Sequence, residues 1–359
     1  MINKIQIGFI VRKEAREVEL STLCSLPGVS GDEYEVHQYL SREYQQLNLD
    51  LKRDKLGSIF GERLVENSPF KVMISSNIDE CGGMIDDIHE NGLLSFVTIG
   101  EVLPKDFLHQ RVCLLTRHHQ RVYGYILQKQ EKFWIHIGAK SQQEVEEFGV
   151  QVGDTFVLEI PVFETEQMIL SKNLSNRAGV YAAYQLMKTM SSLPYTLSIG
   201  GIAQSIVGYR GAITATNTIL PDVSIVLDVA PVRDYAEQTV YIRYFDKTLL
   251  PNVSLVKEIK TVAQSLGYEV KANVQEKGTD RSFIHKSLAG TPTVVVVIPL
   301  KEEGELVQLL NKEDLKPVIH TLQVFLENLT SQKVQQLAFQ ESWRSNVRKS
   351  SNRHIKNIE

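Results

Sequence analysis

Cysteine is scarce in this chain. Only Cys24, Cys81 and Cys113 occur among 359 residues. They are too far apart for a Cys-x-x-Cys metal site and too few for a disulfide framework. They read as reduced, packed thiols, which points to a cytoplasmic protein. Long apolar runs are missing too. Nothing approaches the ~18 consecutive apolar residues of a membrane span, so no membrane role is expected. Met1–Ile10 is too short and too polar for a signal peptide and reads as an added edge strand or an arm. Neither charge is in excess: the net charge is −4 and the pI about 6.2. That leaves no electrostatic footprint for nucleic acid. Internal repeats and low-complexity stretches are absent as well.

What is present suits a large core, at 43% hydrophobic and 23% charged residues, and by length one to three domains. The segment Gly201–Pro231 organises the chain. Gly208 and Gly211 permit a tight turn into a helix over Ala212–Thr218. Pro221-Asp222 breaks that helix. Ser224–Val229 is a short apolar strand with Asp228 near its end. A carboxylate there sits where open α/β sheets place their ligand crevice, although a strand-end Asp can also simply cap a loop.

Before this segment, Glu19–Leu26 reads as a helix ending at Pro27-Gly28. Ser30 and Glu33 form the pattern of a capping box, opening a helix with Val36, Tyr39, Leu40 and Tyr44 on one side. Leu51–Arg63 reads as a hairpin bending at Leu56–Ser58. Lys71–Ser75 is a buried strand. From residue 84 to 162 the texture becomes short alternating runs: Leu93–Ile99, Arg111–Thr116, Arg121–Leu127 and Phe133–Ile137. This predicts an inserted β-barrel. A second capping box, Ser141 to Glu144, opens a helix that closes at Gly149.

Long apolar elements then return. Val180, Ala183, Tyr184 and Met187 share a helix face; Tyr195–Ala203 and Val240–Tyr244 are strands. Val256, Ile259, Ala263 and Leu266 share another helix face. Thr293–Ile298 is a continuous apolar run, as a doubly buried parallel strand requires. A helix over Pro317–Leu329 follows. The expected fold is α/β, a three-layer sandwich with a mainly parallel central sheet. Residues 1–83 and 163–330 form it, 84–162 form the barrel, and 331–359 form a basic, solvated or loosely helical tail.

Several motifs stand in a telling order: Pro27–Glu33, Ile78-Asp79-Glu80, Asn176-Arg177-x-Gly179, Val207-Gly208-x-Arg210-Gly211-Ala212, Pro221-Asp222, Asp228-Val229 and Gly278-Thr279-Asp280. Together they resemble the glutamyl aminopeptidase family, the cellulase-like, tetrahedral-shell type of dinuclear metallo-aminopeptidases. The resemblance spans roughly Glu19 to Leu329. It implies two divalent metals, zinc or cobalt, held by five residues. At those positions this chain has Asn77, Ser175, Ile206, Asp228 and Gly304, so only Asp228 is a retained ligand. The position of the proton-moving glutamate is Ser205, and Asp79 stands where the family orients a ligand. Glu80, Asn176, Arg177, Gly208, Arg210 and Asp280 are expected around the pocket.

A dinuclear site generates hydroxide and polarises the scissile carbonyl, and a separate carboxylate moves the proton. One Asp among neutral neighbours cannot fill a four-coordinate zinc shell. The chain therefore reads as a degenerate member, non-catalytic and without a cofactor, acting in peptide binding or assembly. Homo-oligomers are expected from the resemblance, with co-assembly alongside an active paralogue as a further option. The rival expectation is an active cytosolic aminopeptidase with substitute ligands from Asp79, Glu80, Asp228 and Glu302-Glu303-Glu305. His285 is the nearest histidine by motif.

Overall fold

Every residue of Thr293–Leu300 is buried, so this β-branched run is covered on both faces. It lies inside an eight-stranded sheet. The order is Asp50–Arg53, Ile59–Arg63, Thr196–Ile202, Lys71–Asn77, Val223–Pro231, Thr293–Leu300, Thr239–Asp246, Glu269–Gln275. The strands from Thr196–Ile202 through Thr293–Leu300 run parallel, as do the last two. The other pairings are antiparallel. The sheet is mainly parallel, as expected.

This is a computed structural model that describes residues 18–190, 192–275, 281–303 and 306–337, with backbone only for Arg281, Ser282, Glu302 and Glu303. The arm expected at Met1–Ile10 lies outside the described residues.

Side-chain alternation divides the core. Val294, Val296 and Ile298 pack with the helices Tyr34–Gln46, Leu174–Thr189, Val253–Ser265 and Leu315–Glu327 on one face. Val295 and Val297 pack with Arg210–Ile219 and Arg281–Lys286 on the other. Each such buried valine contributes about 1.5–3 kcal/mol. Helices on both faces make the three-layer sandwich.

Six strands close a separate barrel: Gly82–Ile88, Leu94–Ile99, Lys132–His136, Arg121–Lys129, Arg111–Leu115 and Thr155–Leu158. It has its own core around Ile85, Leu94, Val112, Ile126, Ile135 and Phe156. The loop before Tyr34 fastens it to the sandwich. Val29 packs with Cys113, Leu115 and Val157, Thr155 Oγ1 donates to Asp32 at 2.9 Å, and Arg121 pairs with Glu35. The Tyr34 ring stacks on His119 at 3.8 Å.

A small sheet that the sequence did not announce joins Phe163–Glu164, Met168–Ser171, Gln308–Asn311 and Glu302–Glu303. It brings Lys172 and Gln308 to one place. Local chemistry also departs from expectation at Ser30. The helix starts at Tyr34, Glu33 is its N-cap without a cap bond, and the buried Ser30 hydroxyl has no partner among the described residues. Glu33 accepts instead from the Gly31 N–H and from the distant Gln204 N–H. The second box does form on its Ser side, Ser141 accepting from Glu144 N–H at 3.2 Å. The tail opens with a helix, Ser331–Gln336, and Leu337 after it is buried.

Candidate functional site

Parallel register pairs Ser75 with Val226. Two residues further along each strand come Asn77 and Asp228, toward the carboxyl ends of these parallel strands. Asp228 is only 6% exposed. Its Oδ1 accepts the Val229 N–H at 2.9 Å. Its Oδ2 accepts from Arg243 at 2.5 Å. Arg243 is fully buried on the Thr239–Asp246 strand and also donates to Gln275. A buried carboxylate must be paired or neutralised, and the chain supplies the cation itself.

Asp79 is buried, and its Oδ2 accepts the Ile206 N–H at 2.8 Å. Its carbonyl accepts from Asn176 Nδ2 at 2.6 Å. Glu80 is enclosed by donors. Lys172 Nζ lies at 2.8 Å, Asn173 Nδ2 at 2.5 Å, Gly28 N at 2.9 Å and Arg177 Nη2 at 3.7 Å. Arg177 is fully buried. Burial lowers its pKa, with the Glu80 charge acting in the opposite direction.

Ser175 sits in the first turn of the Leu174–Thr189 helix. Its N–H donates to Gln308 Oε1 at 2.8 Å, and its hydroxyl accepts from Gln308 Nε2 at 3.1 Å. One side-chain amide thus answers both groups.

Gln204, Gly208 and Tyr209 all have positive φ, at 52°, 97° and 60°, the tight turn expected from the glycine at 208. Glu33 Oε1 clamps this turn, accepting from Gln204 N at 2.9 Å and Gly31 N at 3.1 Å. Burial pushes the Glu33 carboxyl up to about 7. Ser205 is buried and Ile206 half-buried.

Glu80, Ser175, Asn176 and Ile206 meet around a cavity of about 110 Å³, closed by Lys172 and Gln308. Gly208 and Arg210 are exposed and do not line it. Cys81 does line it, its thiol pushed up to about 11 by burial and then by the charges of Asp79 and Glu80. Asp280, Gly304 and Glu305 lie outside the described residues. His285 belongs to the Arg281–Lys286 helix on the opposite face from Leu174–Thr189.

Arg243, Lys172 and Gln308 belong to none of the sequence motifs, and Glu33 enters there as a helix cap and as the end of the Pro27–Glu33 motif. Arg243 had a signal: a lone guanidinium inside the apolar strand Val240–Phe245. Nothing local marked Gln308, which meets Ser175 through tertiary structure alone.

A model of the M42 glutamyl aminopeptidases matches residues 57–320. The Escherichia coli protein FrvX, whose name proposes an aminopeptidase, is 30% identical over 344 residues, 88% of this chain and 96% of FrvX. The TET aminopeptidase of a marine sediment Thaumarchaeota archaeon superposes with a TM-score of 0.81 at 27% identity, covering 89% of this chain and 98% of that one. The Pyrococcus horikoshii TET1 peptidase, which can assemble into a tetrahedron or a large octahedral shell, gives 0.77 at 22%, covering 86% and 98%.

These matches correct one expectation, that of a chain without a cofactor. M42 aminopeptidases are dinuclear metal enzymes, so metals are what the match implies. The described residues do not fit that group. An amide, a hydroxyl and an aliphatic chain stand at positions 77, 175 and 206, and Asp228 is held by Arg243. Among the described residues no three His, Cys, Asp or Glu side chains are grouped as a metal would need.

Proposed function

Because the chain belongs to the M42 glutamyl aminopeptidase family, we propose that it is a non-catalytic member, a peptide-binding and assembly subunit on an aminopeptidase fold. One observation carries this reading. The carboxylate retained at the site, Asp228, is engaged by the buried Arg243 at 2.5 Å, and the neighbouring strand ends in the neutral Asn77.

The position that the resemblance gives to the proton-moving glutamate is Ser205, and a hydroxyl cannot accept and return a proton near neutral pH as a carboxylate does. The rival reading, an active aminopeptidase using Asp79, Glu80 and Asp228, meets the same geometry. Each of those carboxylates already accepts from donors of this chain.

The cavity of about 110 Å³ is small beside the ~300–1,000 Å³ of ordinary small-molecule pockets. It suits one short side chain or the end of a peptide. The Ser175 hydroxyl, the Gln308 amide and the Lys172–Glu80 pair give it neutral and paired polar groups. Self-association into a shell, as for the Pyrococcus horikoshii relative, belongs to the same proposal, as does a cytoplasmic location. Co-assembly with an active paralogue extends it.

Calorimetric titration with peptides bearing N-terminal Glu, Asp or Leu, followed by chromatography of the recovered peptide, tests this reading. Saturable binding with intact peptide supports it; shortened peptide overturns it. Light scattering giving only the 40.7 kDa monomer would remove the assembly part.

A further inference from the structure

The cavity of about 110 Å³ lies where the barrel meets the sandwich, and its two sides differ in chemistry. Phe107 and Leu158 of the barrel core line it, with Val102 and Leu306 packed against that core. The sandwich contributes Lys172, Asn173, Ser175 and Asn176. A small ligand would meet apolar carbon on one side and polar groups on the other.

Donors outnumber acceptors on the polar side. A lysine ammonium carries three N–H groups. Lys172 is 5% exposed, and its hydrogen bond among the described residues is to Glu80 Oε2 at 2.8 Å. Ser175 Oγ accepts from Gln308 Nε2 at 3.1 Å, and its own O–H has no acceptor among the described residues. Glu80 also accepts from Asn173 Nδ2 and Gly28 N, so its oxygens are already well supplied. Next to it, Nε, Nη1 and Nη2 of the fully buried Arg177 have no hydrogen-bond partner among the described residues. Buried donors without an acceptor are costly, and an acceptor-rich ligand relieves that cost.

A wider groove of about 390 Å³ adjoins the cavity, and Leu306 lines both spaces. Its other walls include His109, Arg111, Glu159, Ile160 and Val307. His109 and Arg111 are exposed and Glu159 is half-buried, so the charges of the groove remain in contact with water.

We propose that the cavity is a carboxylate pocket that takes the carboxyl-terminal residue of a peptide, whose chain leaves past Leu306 into the groove. The inference rests on the peptide-binding reading above and gives it a direction. The terminal carboxylate accepts from Lys172 Nζ and from the Ser175 hydroxyl, and a short side chain lies against Val102, Phe107 and Leu158. An α-ammonium fits poorly here. It would meet the like charge of Lys172, while Asp79 and Glu80 already accept from donors of this chain. Volume limits the side chain. A cavity of ~150 Å³ holds a benzene ring, so about 110 Å³ suits a carboxylate with a methyl group and excludes an indole. A small free acid offers the same terminal chemistry. A peptide is favoured because the adjoining groove is larger than the cavity itself.

Calorimetric titration of the full-length protein with the tetrapeptide Leu-Gly-Gly-Ala tests this, beside its carboxyl-terminal amide, its N-acetyl form, Leu-Gly-Gly-Trp and N-acetylalanine. Amidation removes the charge that the pocket receives and should weaken binding about ten- to a hundredfold. Acetylation alters an end that lies in the open groove and should change affinity by less than about threefold. The Trp-ended peptide should not bind. Ser175→Ala should weaken binding of the acid severalfold and leave the amide unchanged, a selective effect that general loosening of the fold would not give. Equal binding of acid and amide, or binding abolished by acetylation, overturns the proposal while the peptide-binding reading stands. No binding by any of these ligands overturns both. N-acetylalanine binding as tightly as Leu-Gly-Gly-Ala also overturns the proposal and assigns the pocket to a small acid.

Discussion

Arg243 Nη2 lies 2.5 Å from Asp228 Oδ2, and neither side chain has substantial access to water. The two residues sit on different strands, with Thr293–Leu300 between them. A guanidinium thus reaches across one strand to hold the carboxylate that the family resemblance names as a metal ligand. The proposed non-catalytic reading rests on this pairing.

Removing one partner should be costly. Arg243→Ala leaves Asp228 uncompensated and should destabilise the fold by about 3–5 kcal/mol. Asp228→Asn alone strands the guanidinium and should cost about as much. The double variant Arg243→Met/Asp228→Asn should lose less than the sum, by at least about 1 kcal/mol. Urea midpoints at constant m-value provide the measurement. Strict additivity would show that the pair is not coupled.

Glu80 faces two buried cations, Lys172 and Arg177. Glu80→Gln retains size and hydrogen-bonding capacity but removes the charge that both depend on. A loss of about 3–5 kcal/mol is expected. Lys172→Met should cost less, because Arg177 and the Gly28 N–H still answer Glu80. The reverse order in thermal or urea unfolding would contradict this ranking.

Glu33 makes stability depend on pH in a direction opposite to a salt-bridged acid. Burial raises its carboxyl from 4.5 to about 7, so between those values the folded state binds more protons than the unfolded state. Its contribution is neutral below the unfolded value and becomes a growing penalty as pH rises through 7. Both backbone N–H donors reach the same oxygen, Oε1, which a glutamine carbonyl can replace. Glu33→Gln should therefore be more stable than wild type at about pH 8, by on the order of 2–3 kcal/mol, with the gain gone near about pH 4. A gain that does not change with pH would refute the assignment.

Gly179 lies inside the Leu174–Thr189 helix, where alanine would ordinarily add about 1 kcal/mol of helix propensity. Here a Cβ would fall 2.2 Å from Ser76 Oγ and 2.8 Å from the Leu227 carbonyl. The carbonyl is backbone and cannot yield cheaply. Gly179→Ala should destabilise by about 1–3 kcal/mol despite the propensity. An increase in melting temperature would show that the helix can lift off the sheet at little cost.

How far the sequence reached follows from which signals are local. The Thr293–Ile298 run and the alternating stretches from Leu93 to Ile137 announce their burial through period alone, so sandwich and barrel were both legible. The Ser30–Glu33 box misled because its acid is taken up by the distant Gln204 N–H together with the local Gly31 N–H. Arg243 was invisible as a partner of Asp228 because strand order, not sequence spacing, brings them together. Gln308 was invisible for the same reason: it reaches Ser175 only after the small sheet pairs Met168–Ser171 with Gln308–Asn311.

Turnover by the wild-type chain tests the central claim most directly. The purified protein is supplied with zinc or cobalt and with peptides bearing N-terminal Glu, Asp or Leu, and free amino acid is quantified over time beside the Asp228→Asn variant. If Ser205 stands at the general-base position, as proposed, the missing carboxylate alone should cost about 10²–10⁴-fold, so release indistinguishable between the two proteins is predicted. Metal-dependent release by the wild type that Asp228→Asn abolishes would contradict the non-catalytic reading.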